Sequence, residues 1–169
     1  EAALNSKNLS PNFFRKDSFA FLKFPNIKNP EELFKQKSKN PDSEIFAIDA
    51  LLKNINAAKK NAKIADINKE INFARINLED LDLKFDKEID LICSFPPQPN
   101  KFNEKQITKT YNELFHQSEL ILKKNGKLSL LTLKPEFVKE IAKLYSLKLE
   151  KQLDTFAGKQ AISFLLFKK

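Results

Sequence analysis

Apolar residues in this chain fall into short unbroken runs separated by stretches of helical period. Ile45-Phe46-Ala47-Ile48 is one such run, ending in Asp49, and it predicts a parallel strand buried on both faces. Leu52, Ile55, Ala58, Ala62 and Ala65 then recur at helical spacing. Residues 71–76 and Ile89-Asp90-Leu91-Ile92-Cys93-Ser94 predict two more strands, the second stopped abruptly by Pro96-Pro97. Ile107, Tyr111, Leu114, Phe115, Ser118 and Leu122 mark one face of a long helix, with Asn125-Gly126 as its left-handed cap. Leu128 to Leu133 reads as the next buried strand, and Pro135 suits the first turn of a helix through Val138, Ile141, Ala142 and Tyr145. The last two strands, about Leu147 to Leu153 and Ala161 to Phe167, are joined across Ala157-Gly158-Lys159 with no helix between them, so they pair antiparallel.

This alternation predicts an α/β fold: a mostly parallel sheet, helices on both faces, and one reversed strand near the edge. Ligands of such sheets sit outside the carboxyl ends of the strands, here Asp49, Asn77, Ser94 to Gln98, and Lys134. Residues 13–43 hold six phenylalanines, among them Phe13, Phe14, Phe19, Phe21 and Phe24, and three prolines with no sustained period. They read as an insertion packed on the edge of one domain spanning residues 1–169.

Composition narrows the chemistry. The chain has 169 residues, 30 Lys plus Arg against 22 Asp plus Glu, and a net charge of +8, which suits a single core. No uncharged apolar stretch is long enough to cross a bilayer. One cysteine, Cys93, and one histidine, His116, exclude an internal disulfide and a cysteine or multi-histidine metal site, so a reducing, cytoplasmic setting is the default and no metal is expected. The only two glycines, Gly126 and Gly158, lie far apart, and neither a Walker A loop nor a dinucleotide fingerprint can be built from them. Methionine is absent even at position 1, so the chain reads as a portion of something longer.

Charge is uneven. Residues 101–169 carry 14 basic and 7 acidic side chains, whereas the first hundred are nearly balanced. A Lys-covered face would gain from counterion release on RNA or DNA, with Lys123, Lys124, Lys127 and Lys134 as the leading contacts. Lysine usage of this kind, with only Arg15 and Arg75 as arginines, is equally what an AT-rich genome encodes.

Asp49 ends a buried strand just before a helix, where an acidic residue can accept hydrogen bonds from a ribose; the same position suits a helix cap. Asn77 could bond an adenine edge or simply turn the chain. His116 falls off the apolar face of its helix and is expected in solvent. Cys93 is expected to be buried, as a small hydrophobe.

Three segments together resemble a known family. Glu1-Ala2-Ala3-Leu4 with Leu9-Ser10-Pro11-Asn12-Phe13-Phe14-Arg15 and Phe19-Ala20-Phe21-Leu22-Lys23-Phe24-Pro25 is similar to a stretch that follows a glycine-rich loop. Ile45 to Asp49 with Ala57-Ala58-Lys59-Lys60-Asn61-Ala62 is similar to the strand, acidic residue and helix that come next. Asp90-Leu91-Ile92-Cys93-Ser94 leads into Pro96-Pro97 where the family has an Asn-Pro-Pro-Tyr loop. The chain thus resembles the class I S-adenosylmethionine-dependent methyltransferases, and more closely the bacterial RNA guanine-N2 methyltransferases that carry an N-terminal THUMP domain and are often labelled N6-adenine-specific DNA methylases.

The resemblance implies a Rossmann-like class I methyltransferase fold whose first strand and glycine-rich turn lie before Glu1, with a THUMP domain further upstream. It implies S-adenosylmethionine as cofactor, bound weakly if at all by this chain alone, with Asp49 and Ala50 at the ribose, Asn77 and Leu78 at the adenine, and Ser94 beside them. Phe95, Pro96, Pro97 and Gln98 would be the catalytic loop that holds the target base, and RNA the partner. Phe95 stands where the family has Asn or Asp and cannot accept a hydrogen bond, Gln98 replaces an aromatic residue, Asn77 replaces Asp, and Ala47 replaces a common Gly. Two other readings stand beside the RNA methyltransferase: a degenerate domain that binds RNA or a partner without catalysis, and a DNA adenine-N6 methylase.

Overall fold

The computed structural model describes residues 1–9, 19–26 and 43–169. Its chain divides into two compact units, Glu1–Ile76 and Asn77–Lys169. Most of the insertion expected at residues 13–43 lies outside the described residues; within it a 3₁₀ turn spans Ala20–Lys23.

The first unit contains α1 (Ala2–Ser6), β1 (Phe46–Asp49), α2 (Leu52–Ile64) and β2 (Asn72–Arg75). β1 and β2 pair in parallel, with Phe46 opposite Asn72 and Asp49 opposite Arg75. Ala3, Leu4, Ala62 and Ile67 form a small core against which Ile45, Ala65, Ile71 and Phe73 pack. A 2.9 Å ion pair from Lys7 to Glu70 ties α1 to the turn before β2. Two expectations are corrected here. β1 is half-buried along its length rather than buried on both faces. Leu52, expected on the inner face of α2, is 54% exposed, because the inward stripe begins one turn later at Ile55.

The second unit contains β3 (Ile89–Ser94), α3 (Glu104–Ile121), β4 (Leu122–Thr132), α4 (Pro135–Ala142), β5 (Lys148–Ala157) and β6 (Gln160–Lys168). The strands lie in the order β3-β4-β6-β5. β3 and β4 are parallel, while β6 runs antiparallel to both β4 and β5. Three strands therefore point one way and β6 is the expected reversed strand, one place in from the edge. The α3 face read from sequence is buried as expected, and Phe115 stacks on Tyr145 and meets Phe167 edge-on, centroids 5.5 and 5.2 Å apart. His116 is exposed, as its position on the helix implies.

Cys93 is exposed, not buried. β3 is an edge strand with a register shift between Ile89 and Leu91, so Ile89 and Ile92 meet the core while Leu91 and Cys93 point the other way. The Asn125-Gly126 pair does not cap α3. The helix ends at Ile121, Leu122 is already extended, and the left-handed residue is Asn125 (φ 68°) in an excursion of β4. Gly126 is needed there for space, since a Cβ would lie 2.9 Å from the Lys123 carbonyl oxygen and 3.1 Å from that of Ile89. The carbonyls ending α3 are instead met by the Lys169 ammonium, which donates to Glu119 and Leu122.

Candidate active site

In the first unit, the carboxyl end of β1 delivers Asp49. Its Oδ1 accepts the Leu51 N–H at 2.7 Å and its Oδ2 accepts Asn54 Nδ2 at 2.9 Å. Leu51, at the cap position of α2, has no polar side chain, so Asp49 ties down the helix start from two residues upstream. Each oxygen keeps lone-pair capacity, so the capping role leaves room for donors from a ligand. Arg75 Nε reaches back from β2 to the Ala50 carbonyl at 3.0 Å and fixes the turn after Asp49.

In the second unit, Asn77 opens a 3₁₀ turn over Leu78–Asp80, with its Nδ2 on Asp80 Oδ2 at 2.9 Å. Asn77 is exposed, and Leu78 packs against the core. Ser94 closes β3 opposite Leu130, and the loop beyond it leaves from the same end of the sheet as Lys134. Phe95 is 57% exposed, Pro96 buried and Pro97 exposed.

Gln98 organises this loop. Its Nε2 donates to the Pro96 carbonyl at 2.7 Å and to Tyr111 Oη at 3.2 Å. Its Oε1 accepts from Thr132 Oγ1 at 2.9 Å and from the Leu133 N–H at 2.8 Å. Two donors and two lone pairs are the full capacity of an amide, so no part of this side chain is left for a ligand. Thr132 Oγ1 in turn accepts the Lys134 N–H at 3.0 Å. Burial pushes the Tyr111 hydroxyl pKa up, while hydrogen bonding with Thr132 and Gln98 pulls it part of the way back.

The four lysines singled out by sequence do not form one patch. Lys127 stands opposite Leu91 near the start of β3, and Lys123 and Lys124 belong to the excursion before it. Lys134 leaves from the opposite end of β4, about 20 Å away at ~3.3 Å per residue. Lys123 is paired with Asp90 at 2.8 Å and Lys127 with Glu150 at 2.6 Å. Among the described residues no cluster of three His, Cys, Asp or Glu could hold a metal ion, and no helix is long and apolar enough to cross a membrane.

Residues 1–159 match the family described as "RMKL-like, methyltransferase domain". The chain belongs to this methyltransferase family. A curated relative, the tRNA (guanine(6)-N2)-methyltransferase of Methanocaldococcus jannaschii, is 26% identical over 163 residues, which is 94% of this chain and 42% of that protein. The chain thus spans less than half the length of the curated relative it matches. Among solved structures, TrmN from Thermus thermophilus aligns with a TM-score of 0.67 at 22% identity, covering 77% of this chain and 37% of that one. SMU.472, solved as a complex with SAH, aligns with a TM-score of 0.77 at 22% identity, covering 98% of this chain and 43% of that one. These structures share the Rossmann-like methyltransferase fold, and S-adenosylmethionine is the cofactor of the family.

The residues that sequence reasoning missed are the partners of Gln98 outside the loop itself: Tyr111, Thr132, Leu133 and Asn103. A threonine at the end of a mainly apolar run, Leu128 to Leu133, was the available signal, because a buried hydroxyl needs a partner.

Proposed function

We propose that this chain is the S-adenosylmethionine-dependent methyltransferase domain of a cytoplasmic RNA-modifying enzyme, acting on guanine N2 of transfer or ribosomal RNA. The family match over residues 1–159 carries the reading. The name of the Methanocaldococcus relative supports the choice of base and of RNA. An upstream glycine-rich turn and a THUMP domain belong to the same proposal, supported by the greater length of the relatives.

The residues that the resemblance assigns to the cofactor have chemistry suited to it, each within its own unit. Asp49 is held at a strand end with lone pairs to spare for ribose hydroxyls, and Ala50 beside it adds no bulk. In the second unit the exposed Asn77 has a carbonyl oxygen suited to an adenine amine, with Leu78 and Ser94 as neighbouring contacts in the proposed set. When bound, S-adenosylmethionine supplies an electrophilic methyl group. The loop after Ser94 has to hold an unstacked base in line and accept the amine's hydrogens as positive charge develops.

One observation favours the second reading, RNA binding without catalysis. The Phe95 side chain offers no acceptor, and the carbonyl of Pro96 already takes the Gln98 amide at 2.7 Å, which leaves it one lone pair for a substrate amine. Transfer of labelled methyl from S-adenosylmethionine to a transfer-RNA transcript, assayed in the longer protein that includes the proposed upstream turn, separates the two, with wild type, Asp49→Ala and Phe95→Asn compared. Transfer that is lost in Asp49→Ala and raised in Phe95→Asn supports the enzyme. RNA binding with no transfer by wild type or Phe95→Asn leaves the second reading standing. Absence of both activities refutes both.

A further inference from the structure

The turn between the Gln98 loop and α3 is clamped by its own asparagines. Asn100 N–H donates to Asn103 Oδ1 at 2.7 Å, and Asn100 Oδ1 accepts the N–H groups of Phe102 at 2.8 Å and Asn103 at 3.1 Å. Asn103 Nδ2 reaches the Gln98 carbonyl at 3.4 Å, which joins this turn to the loop network. On this fixed turn Phe102 is 99% exposed. A single exposed apolar residue is ordinary, but one presented on a clamped turn beside three lysines is not accounted for by folding. Lys101 precedes it, and Lys105 and Lys109 follow one helical turn apart on α3. None of the three is in an ion pair among the described residues, and Glu104 is the one acidic side chain among them in sequence. Phe95, the second exposed aromatic of this segment, lies on the same loop.

We propose that the turn Asn100 to Asn103 is an RNA-contact site in which Phe102 stacks on an unpaired base while Lys101, Lys105 and Lys109 meet the flanking phosphates. The chemistry is that of single-strand binders: an aromatic face for any base and a basic track for the backbone. Its place differs from the sequence expectation, since Lys123, Lys124 and Lys127 belong to the other end of the sheet. The inference rests on the RNA reading above and deepens it by naming where unpaired RNA lies.

The test is fluorescence anisotropy of the whole chain with an unstructured oligoribonucleotide and with an RNA duplex of equal length, over a range of salt. Phe102→Ala should weaken single-strand binding roughly 5- to 150-fold, the range that base–aromatic stacking gives, and Phe102→Tyr should retain it. The salt slope should stay the same in Phe102→Ala but become shallower by about 0.7 for each of Lys101, Lys105 and Lys109 changed to Gln. An exposed side chain leaves the fold intact when truncated, so equal unfolding midpoints are expected. Single-strand affinity of Phe102→Ala within twofold of wild type overturns the site, as does equally tight binding of the duplex. Changing Lys123, Lys124 and Lys127 together to Gln should have the smaller effect, and a larger one also overturns it. If wild type binds neither RNA at low salt, the RNA reading itself fails.

Discussion

Replacing Gln98 with leucine keeps the bulk of the side chain and removes all four of its hydrogen bonds. Thr132 and Tyr111 are fully buried and Pro96 is buried, so the partners left behind have little access to water. The Thr132 hydroxyl and the Leu133 N–H lose their acceptor, and a buried group without a partner costs about 1–3 kcal/mol. Water entering on the half-exposed flank of residue 98 recovers part of this, which leaves an expected loss of about 2–4 kcal/mol. Urea unfolding followed by tyrosine fluorescence reads it directly, because the chain has no tryptophan and both tyrosines, Tyr111 and Tyr145, belong to the second unit. In a Tyr145→Phe background the ionisation of Tyr111 should also move further up, since the Gln98 donor that favours the phenolate is gone. Gln98→Glu keeps acceptors for Thr132 and Leu133 and should lose less. A stability change below about 0.5 kcal/mol in Gln98→Leu, the size of an ordinary surface substitution, would refute the latch.

Gly126→Ala should destabilise by about 1–3 kcal/mol, because the new Cβ meets two backbone carbonyls that cannot move freely. Gly158→Ala, at φ +65° in open space, should cost only the backbone strain of about 1–2 kcal/mol, and a reversed order of the two would contradict the packing described. Alkaline pH should also be destabilising: Tyr111 and Tyr145 are both raised above 10.0 in the folded chain, chiefly by burial, with the Glu119 and Glu113 charges adding to Tyr145. Just above the unfolded value the folded state holds more protons, so stability is complete below that value and declines as pH rises through it toward the folded values. A urea midpoint that stays flat from about pH 8 to about pH 11 would refute the shifts.

Local periodicity made much of the second unit legible. The face of α3 followed from Ile107, Tyr111, Leu114 and Phe115 at helical spacing, and the reversal of β6 followed from the absence of room for a helix around Gly158. Periodicity failed where a short apolar run has no period to show. Nothing in Leu91-Ile92-Cys93 says that one face of an edge strand stays open. It failed again at Leu52, where the first turn of a helix extends past the surface it packs on. The candidate site was legible as a position and not as a mechanism. Ser94 to Gln98 could be placed at the end of a strand, but the partners of Gln98 are 13 and 34 residues away and are brought to it only by the packed fold. Charge gave the half of the molecule that is basic, whereas register decides which end of the sheet each lysine occupies.

The Gln98 latch also constrains how this loop can change over generations. Where relatives of this type are expected to carry an aromatic residue, a single substitution here would strand Thr132 and the Leu133 N–H before any gain in base stacking could be selected. An apolar residue at position 132 would not open the way first, since it would leave the Lys134 N–H without Thr132 Oγ1 and the Leu133 N–H still dependent on Gln98. A lineage that has acquired the amide is therefore entrenched in it even if selection for methyl transfer were to return.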